Sequence, residues 1–137
     1  MRLASTAALA FAVMALASCA SSGGTGSPAA EPPAPAPFDP VGTYTFATTV
    51  EGAAVAGELI IRGEPGNYTG LINPTSGPIT PLEIYAATVE GQQVTAFADA
   101  GGDDVILVLN FTDDGRYAGT WTLGFDSGEI AGERVPQ

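Results

Sequence analysis

From position 41 onward, apolar residues alternate with polar ones and glycine-rich punctuation recurs at short intervals. Tyr44, Phe46 and Val50 fall on one side of an extended segment, with Thr43, Thr45 and Thr49 on the other. Period-two alternation marks a half-buried strand, and no sustained 3.6-residue stripe competes with it. Val55, Leu59 and Ile61 then alternate with Glu58, Ile60 and Arg62, and a turn at 63–66 leads into a strand at 67–72. Pro74, Pro78 and Pro81 follow, and a ring that cannot donate to a ladder places these positions in loops or at strand edges. Residues 82–89 and 93–99 read as two further strands joined at Glu90-Gly91. The segment 105–111 is apolar at nearly every position, which predicts a strand covered on both faces. Asp113-Asp114-Gly115 is a hairpin turn, because Gly tolerates positive φ and Asp bonds its own backbone. Beyond it Tyr117, Gly119, Trp121 and Leu123 share a face opposite Thr120 and Thr122, and 129–135 forms a last strand.

Eight short sequential strands predict an all-β domain, a small up-and-down antiparallel barrel whose closure removes exposed edges, with a β-sandwich as the alternative. The interior then receives Tyr44, Phe46, Val55, Leu59, Ile61, Tyr68, Ile72, Val105, Leu107, Leu109, Phe111, Tyr117, Trp121 and Leu123. An eight-stranded barrel is just wide enough for side chains to fill it or for one small ligand. Side chains this large predict a mostly packed core with at most a shallow pocket near Trp121 and Tyr44. Two segments echo each other: Gly66-Asn67-Tyr68-Thr69-Gly70 resembles Gly115-Arg116-Tyr117-Ala118-Gly119, each after an aliphatic strand. Thr49-Val50-Glu51-Gly52 likewise recurs as Thr88-Val89-Glu90-Gly91. Both echoes are compatible with an internal repeat and with ordinary hairpin chemistry.

Ahead of this domain the pattern changes twice. After Arg2, residues 7–17 form an uncharged apolar run that gives way to Ser and Gly well before the roughly 20 residues a membrane span requires. Residues 1–18 therefore read as a removable signal. Residues 20–37 hold five Pro, five Ala, three Gly and three Ser with Glu31 as their one charge, so they cannot build a core. Residues 19–37 are expected to be a disordered tether, flexible in its Gly/Ser part and stiff in its Pro-rich part. The barrel domain occupies 38–137.

Composition narrows the function. The chain of 137 residues has a net charge of −11, with 15 acidic residues against 4 basic ones, so no surface can neutralise a phosphate backbone and nucleic acid is a poor partner. There is no His and one Cys, which removes the usual general base, an internal disulfide and a Cys-rich zinc site. No cofactor or metal is expected. Asp103-Asp104 and Asp113-Asp114 read as solvated turns, and Ser76 and Ser127 as loop serines without a base to activate them. Arg62, Arg116 and Arg134 are expected to pack by their aliphatic stems or to pair with acids at the surface, and each is also a possible contact for an acidic ligand.

Leu16-Ala17-Ser18-Cys19, with the only Cys of the chain at its end, resembles the lipobox of bacterial lipoproteins. The resemblance implies cleavage before Cys19, a diacylglyceryl group on its sulfur and acylation of its amino group. Ala15-Leu16-Ala17 also fits an A-x-A cleavage pattern, on which Cys19 is an ordinary residue. Loss of Arg2 leaves the mature chain more acidic still, so the anchor must be hydrophobic, and two or three acyl chains hold a protein permanently. In that family Asp after the cysteine retains the protein at the inner membrane. Ala20 here implies the outer membrane, facing the periplasm.

The domain over residues 41–135 resembles the lipocalin-like, calycin-type β-domains of bacterial lipoproteins. Gly42-Thr43-Tyr44 stands where lipocalins have Gly-x-Trp, and Gly132-Glu133-Arg134 stands on the last strand, where a basic residue packs over that aromatic. Tyr44 replaces the family's Trp, and no ligand-binding residues are carried over. The leading expectation is a membrane-anchored, non-enzymatic module with a structural or protein-interaction role. The alternative is a carrier of a small apolar ligand, and an open lumen is the observation that separates the two.

Overall fold

The computed structural model describes residues 36–137. The signal segment with its lipobox, Cys19 and residues 20–35 lie outside the described residues. Eight strands follow one another: β1 (Gly42–Val50), β2 (Ala53–Glu64), β3 (Asn67–Ser76), β4 (Leu82–Glu90), β5 (Gln93–Asp99), β6 (Asp104–Phe111), β7 (Arg116–Leu123) and β8 (Asp126–Glu133). Each pairs antiparallel with the next, and β8 returns to β1 to close the barrel. This is the up-and-down architecture of lipocalin-like domains, and closure excludes the sandwich. All eight strands and the whole core lie within one compact unit, Pro37–Gln137. That unit holds its own sheet and core, the organisation of a domain that can in principle fold alone.

Local chemistry sets the turns. Glu51 and Gly52 join β1 to β2 with φ of 51° and 82°, a mirror-image turn whose twist matches the flanking strands. The β4–β5 turn falls on Gly91-Gln92, one residue later than the echo implies, because Glu90 is still paired with Gln93. The β2–β3 turn shrinks to Pro65-Gly66, since Gly63 and Glu64 pair with Tyr68 and Asn67. β8 starts at Asp126 rather than 129, because a tight turn at Gly124-Phe125 lets Ser127 pair with Thr122. Ser127 therefore lies in a strand, and Ser76 ends β3. Pro74 sits in β3 opposite Gly57 of β2 and past the last β3–β4 partner pair, Ile72 with Leu82, so its β4 side has no ladder partner. β6 is covered on one face only: Ile106 is 37% exposed on the outer wall.

The interior contains the alternating residues of β1, β2, β3, β6 and β7, together with Ile84, Ala87, Val94, Ala96, Ala98 and Ile130 from the remaining strands. A bulge at Tyr85, between the pairs Ile84–Ala98 and Ala86–Phe97, turns that ring outward. The echo of Gly66–Gly70 in Gly115–Gly119 is structural as well as sequential. Each segment buries its tyrosine, and each second glycine faces a carbonyl of the preceding strand too closely for a Cβ, that of Ile60 at Gly70 and that of Val108 at Gly119.

The closing seam is the sparse part of the cylinder. β1 and β8 share the ladder pairs Ala47–Ala131 and Thr48–Ile130, extended by an isolated bridge between Tyr44 and Arg134. Side chains supply the remaining bonds. Thr45 Oγ1 accepts from the Glu133 amide at 3.1 Å, and the Tyr117 hydroxyl donates to the Thr45 carbonyl at 2.8 Å.

Candidate functional site

The two ends of the barrel differ because the aromatic residues are unevenly placed along its axis. At the end where the chain enters β1, Phe38, Tyr44, Phe111 and Tyr117 form a continuous cluster. Ring centroids lie 5.1 Å apart for Phe38–Phe111 and Tyr44–Phe111, and 5.2 Å apart for Phe111–Tyr117. Edge-on and tilted contacts at these distances are the favoured geometry of aromatic pairs. Arg134 finishes this end. Its Nη2 donates to the Tyr44 hydroxyl at 2.7 Å with the guanidinium carbon 5.1 Å from the ring centroid, and the Tyr44 hydroxyl donates to the Pro40 carbonyl at 2.8 Å. Burial pushes the Tyr44 hydroxyl above its usual range against the opposing pull of Arg134, and burial raises Tyr117 as well.

The opposite end is open. There the β3–β4 loop, with Pro78, Ile79 and Pro81, and the β5–β6 loop, with Ala100 and Gly101, border a cleft of about 440 Å³. Its walls are mainly apolar: Phe46 and Val50 from β1, Ile72 from β3, Leu107 from β6, and Trp121 and Leu123 from β7. Phe46 and Trp121 are the aromatic residues among them, too few to close this half as the four rings close the other. One polar relay crosses the cleft wall. Trp121 Nε1 donates to Thr48 Oγ1 at 2.8 Å, and that hydroxyl donates to the Glu129 carbonyl at 2.5 Å, tying β7 to β1 and β8. Gly128 leaves room for the indole, since a Cβ there would lie 2.6 Å from Nε1. An adjoining groove of about 530 Å³ shares Val50, Trp121 and Leu123, and brings Glu51, Asp126 and Glu129 to the rim.

Of the residues singled out in the sequence, Trp121 lines the cleft, while Tyr44 and Arg134 belong to the closed end. The pocket thus lies near Trp121 and not near Tyr44, which is fully buried. Alternation did not single out Thr48, although its phase between Phe46 and Val50 places it inward. Arg116 is exposed, with Nε 3.6 Å from Asp114 and 3.9 Å from Glu133. Asp114 also accepts from Thr112, a bond that holds its carboxyl below the usual range.

No protein-family model matches the chain, and no curated protein matches it either. Among solved structures, it is similar to HpuA from Kingella denitrificans, solved in complex with human haemoglobin, with a TM-score of 0.51 and 18% identity over 71% of this chain and 43% of that one. The chain therefore spans less than half of HpuA. It is also similar to a mutant of the fluorescent protein UnaG, with a TM-score of 0.45 and 16% identity over 71% of this chain and 96% of that one. The likeness is one of fold.

The polar side chains lining the open end are Thr48, Thr80, Asp99 and the Trp121 indole, of which Thr48 and Trp121 are bonded to each other. Among the described residues no three His, Cys, Asp or Glu side chains converge on a common metal position. An apolar, half-open cleft of this volume falls in the range of small-molecule sites, which are mostly apolar with a few placed polar groups.

Proposed function

We propose that this chain is an envelope lipoprotein whose barrel is a non-enzymatic binding module, holding a small apolar molecule in its open end. The cleft of about 440 Å³ beside Trp121 carries the reading. It reverses the order in which the sequence ranks the two roles, because the core packed through the barrel leaves this apolar cleft at its open end. The lipobox residues Leu16, Ala17, Ser18 and Cys19 support a lipid anchor, and Ala20 supports the outer membrane with the domain facing the periplasm. The protein-interaction role retains one specific observation: Phe125, at the tip of the β7–β8 turn, is fully exposed on the open side.

Residues 37–137, titrated with the neutral fluorescent probe N-phenyl-1-naphthylamine, test the binding reading. A saturable rise in probe emission is expected, and Val50→Trp, which fills the cleft from its edge, should abolish it while the melting temperature holds. No rise with the native domain overturns the proposal. The anchor is tested separately. Cys19→Ala should end incorporation of labelled fatty acid and leave the chain uncut or released, and a variant that stays labelled and membrane-bound refutes the assignment.

A further inference from the structure

The barrel is electrically polar along its axis. Every basic residue of the described chain, Arg62, Arg116 and Arg134, lies toward the closed end: Arg62 beside the β2–β3 turn, Arg116 after the β6–β7 turn, and Arg134 over Tyr44. The charges at the open end are carboxylates alone among the described residues. Asp99 lines the cleft itself, and its Oδ1 is held in place by the Gly102 amide at 2.9 Å. Asp104 stands directly across from it on the neighbouring strand, accepting from the Tyr85 hydroxyl at 2.9 Å. Like charges in this cross-strand position repel, and no cation of the described residues forms an ion pair with either. Glu51, Asp126 and Glu129 extend the negative rim along the adjoining groove that shares Trp121.

A cleft edged by one sign of charge over low-dielectric walls focuses its field on whatever enters. Its apolar walls define the site, and the rim carboxylates decide which charge may accompany an apolar body into it. An anionic amphiphile brings its head group against Asp99 with no Arg to meet it. A cationic head meets Asp99 at the cleft edge while its apolar part fills the space beside Phe46, Leu107 and Trp121.

We infer that the open end selects a cationic amphiphile, an ammonium group on an apolar body, over an anionic one of the same size. This rests on the binding role proposed above and specifies the chemistry of its ligand.

Three matched probes separate the two ideas: decyltrimethylammonium, decanol and decanoate, each below its micellar concentration, titrated into residues 37–137. The chain's one Trp, at the cleft wall, reports binding by its fluorescence, with calorimetry as a second readout. The ammonium probe should bind at least about tenfold more tightly than decanoate at low ionic strength, and the gap should narrow as salt screens the rim. The double variant Asp99→Asn, Glu51→Gln should narrow it in the same way, both positions being exposed and the changes nearly isosteric. If decanol binds and decanoate binds as tightly as the ammonium probe, charge selection is wrong and the binding role stands. If none of the three binds, the binding role falls and the charge preference with it.

Discussion

A Cβ added at Gly119 would collide with the Val108 carbonyl oxygen, an atom fixed by the sheet and unable to move aside. Gly119→Ala should therefore destabilise the domain by about 1–3 kcal/mol or more, as overpacking does. Gly124→Ala has open space around it and only its positive φ to accommodate, so it should cost about 1–2 kcal/mol. Urea denaturation of both variants ranks them, and equal losses would remove close packing as the reason for Gly119. At Thr48 the question is polar. Thr48→Val keeps the shape but takes away the acceptor of the Trp121 indole N–H, and an unsatisfied buried donor costs about 1–3 kcal/mol. A melting temperature lower by several degrees is expected, since about 1 kcal/mol shifts a domain of this size by about 4–8 °C. An unchanged value would show that water replaces the hydroxyl.

At the level of elements, the seam between β1 and β8 should open before any other part of the cylinder. It has two ladder pairs and a bridge, whereas β6 and β7 are paired along their whole length. Local opening draws on regions with few backbone bonds. Hydrogen exchange should find the β8 amides facing β1 less protected than those of β5 and β6, and Thr45→Val, which removes the acceptor for the Glu133 amide, should lower that protection further. Uniform protection around the barrel would contradict this. The repeated hairpins sit apart from the seam's weak line, since β2–β3 and β6–β7 are long ladders, the first broken only by an irregularity at Ala56-Gly57 and the second continuous.

For the whole molecule, the absence of His removes the usual titration near neutrality, and the pH response is displaced to the alkaline side. Tyr44 and Tyr117 keep their protons in the folded state beyond the ordinary tyrosine value of 10.0, because burial disfavours the phenolate. Above that value the unfolded chain releases protons that the native chain retains, so stability falls as pH rises. The contribution is complete below about pH 10 and is lost progressively above it. Thermal melts from about pH 7 to 11 should be flat and then decline, and Tyr117→Phe should make the decline shallower. A decline that is identical in the variant would assign the effect elsewhere.

Alternation along the chain sufficed for much of this protein. It decided that the domain is all-β, how many strands it has, and which face of β1, β2, β3, β6 and β7 turns inward, because side-chain direction follows period two whatever the neighbours are. The lack of His and the excess of acids were equally legible, since composition does not depend on folding. What alternation cannot report is height along the barrel axis. Tyr44 and Trp121 are both inward by phase, yet register and closure send one to the aromatic plug and the other to the mouth. The same holds for charge: Glu51, Asp126 and Glu129 come to the mouth on the side of Trp121, and all three Arg gather at the far end, only because the hairpins stack in one cylinder. Strand number and facing are local properties of the chain, whereas the open cleft and its acidic rim arise from pairing between distant segments.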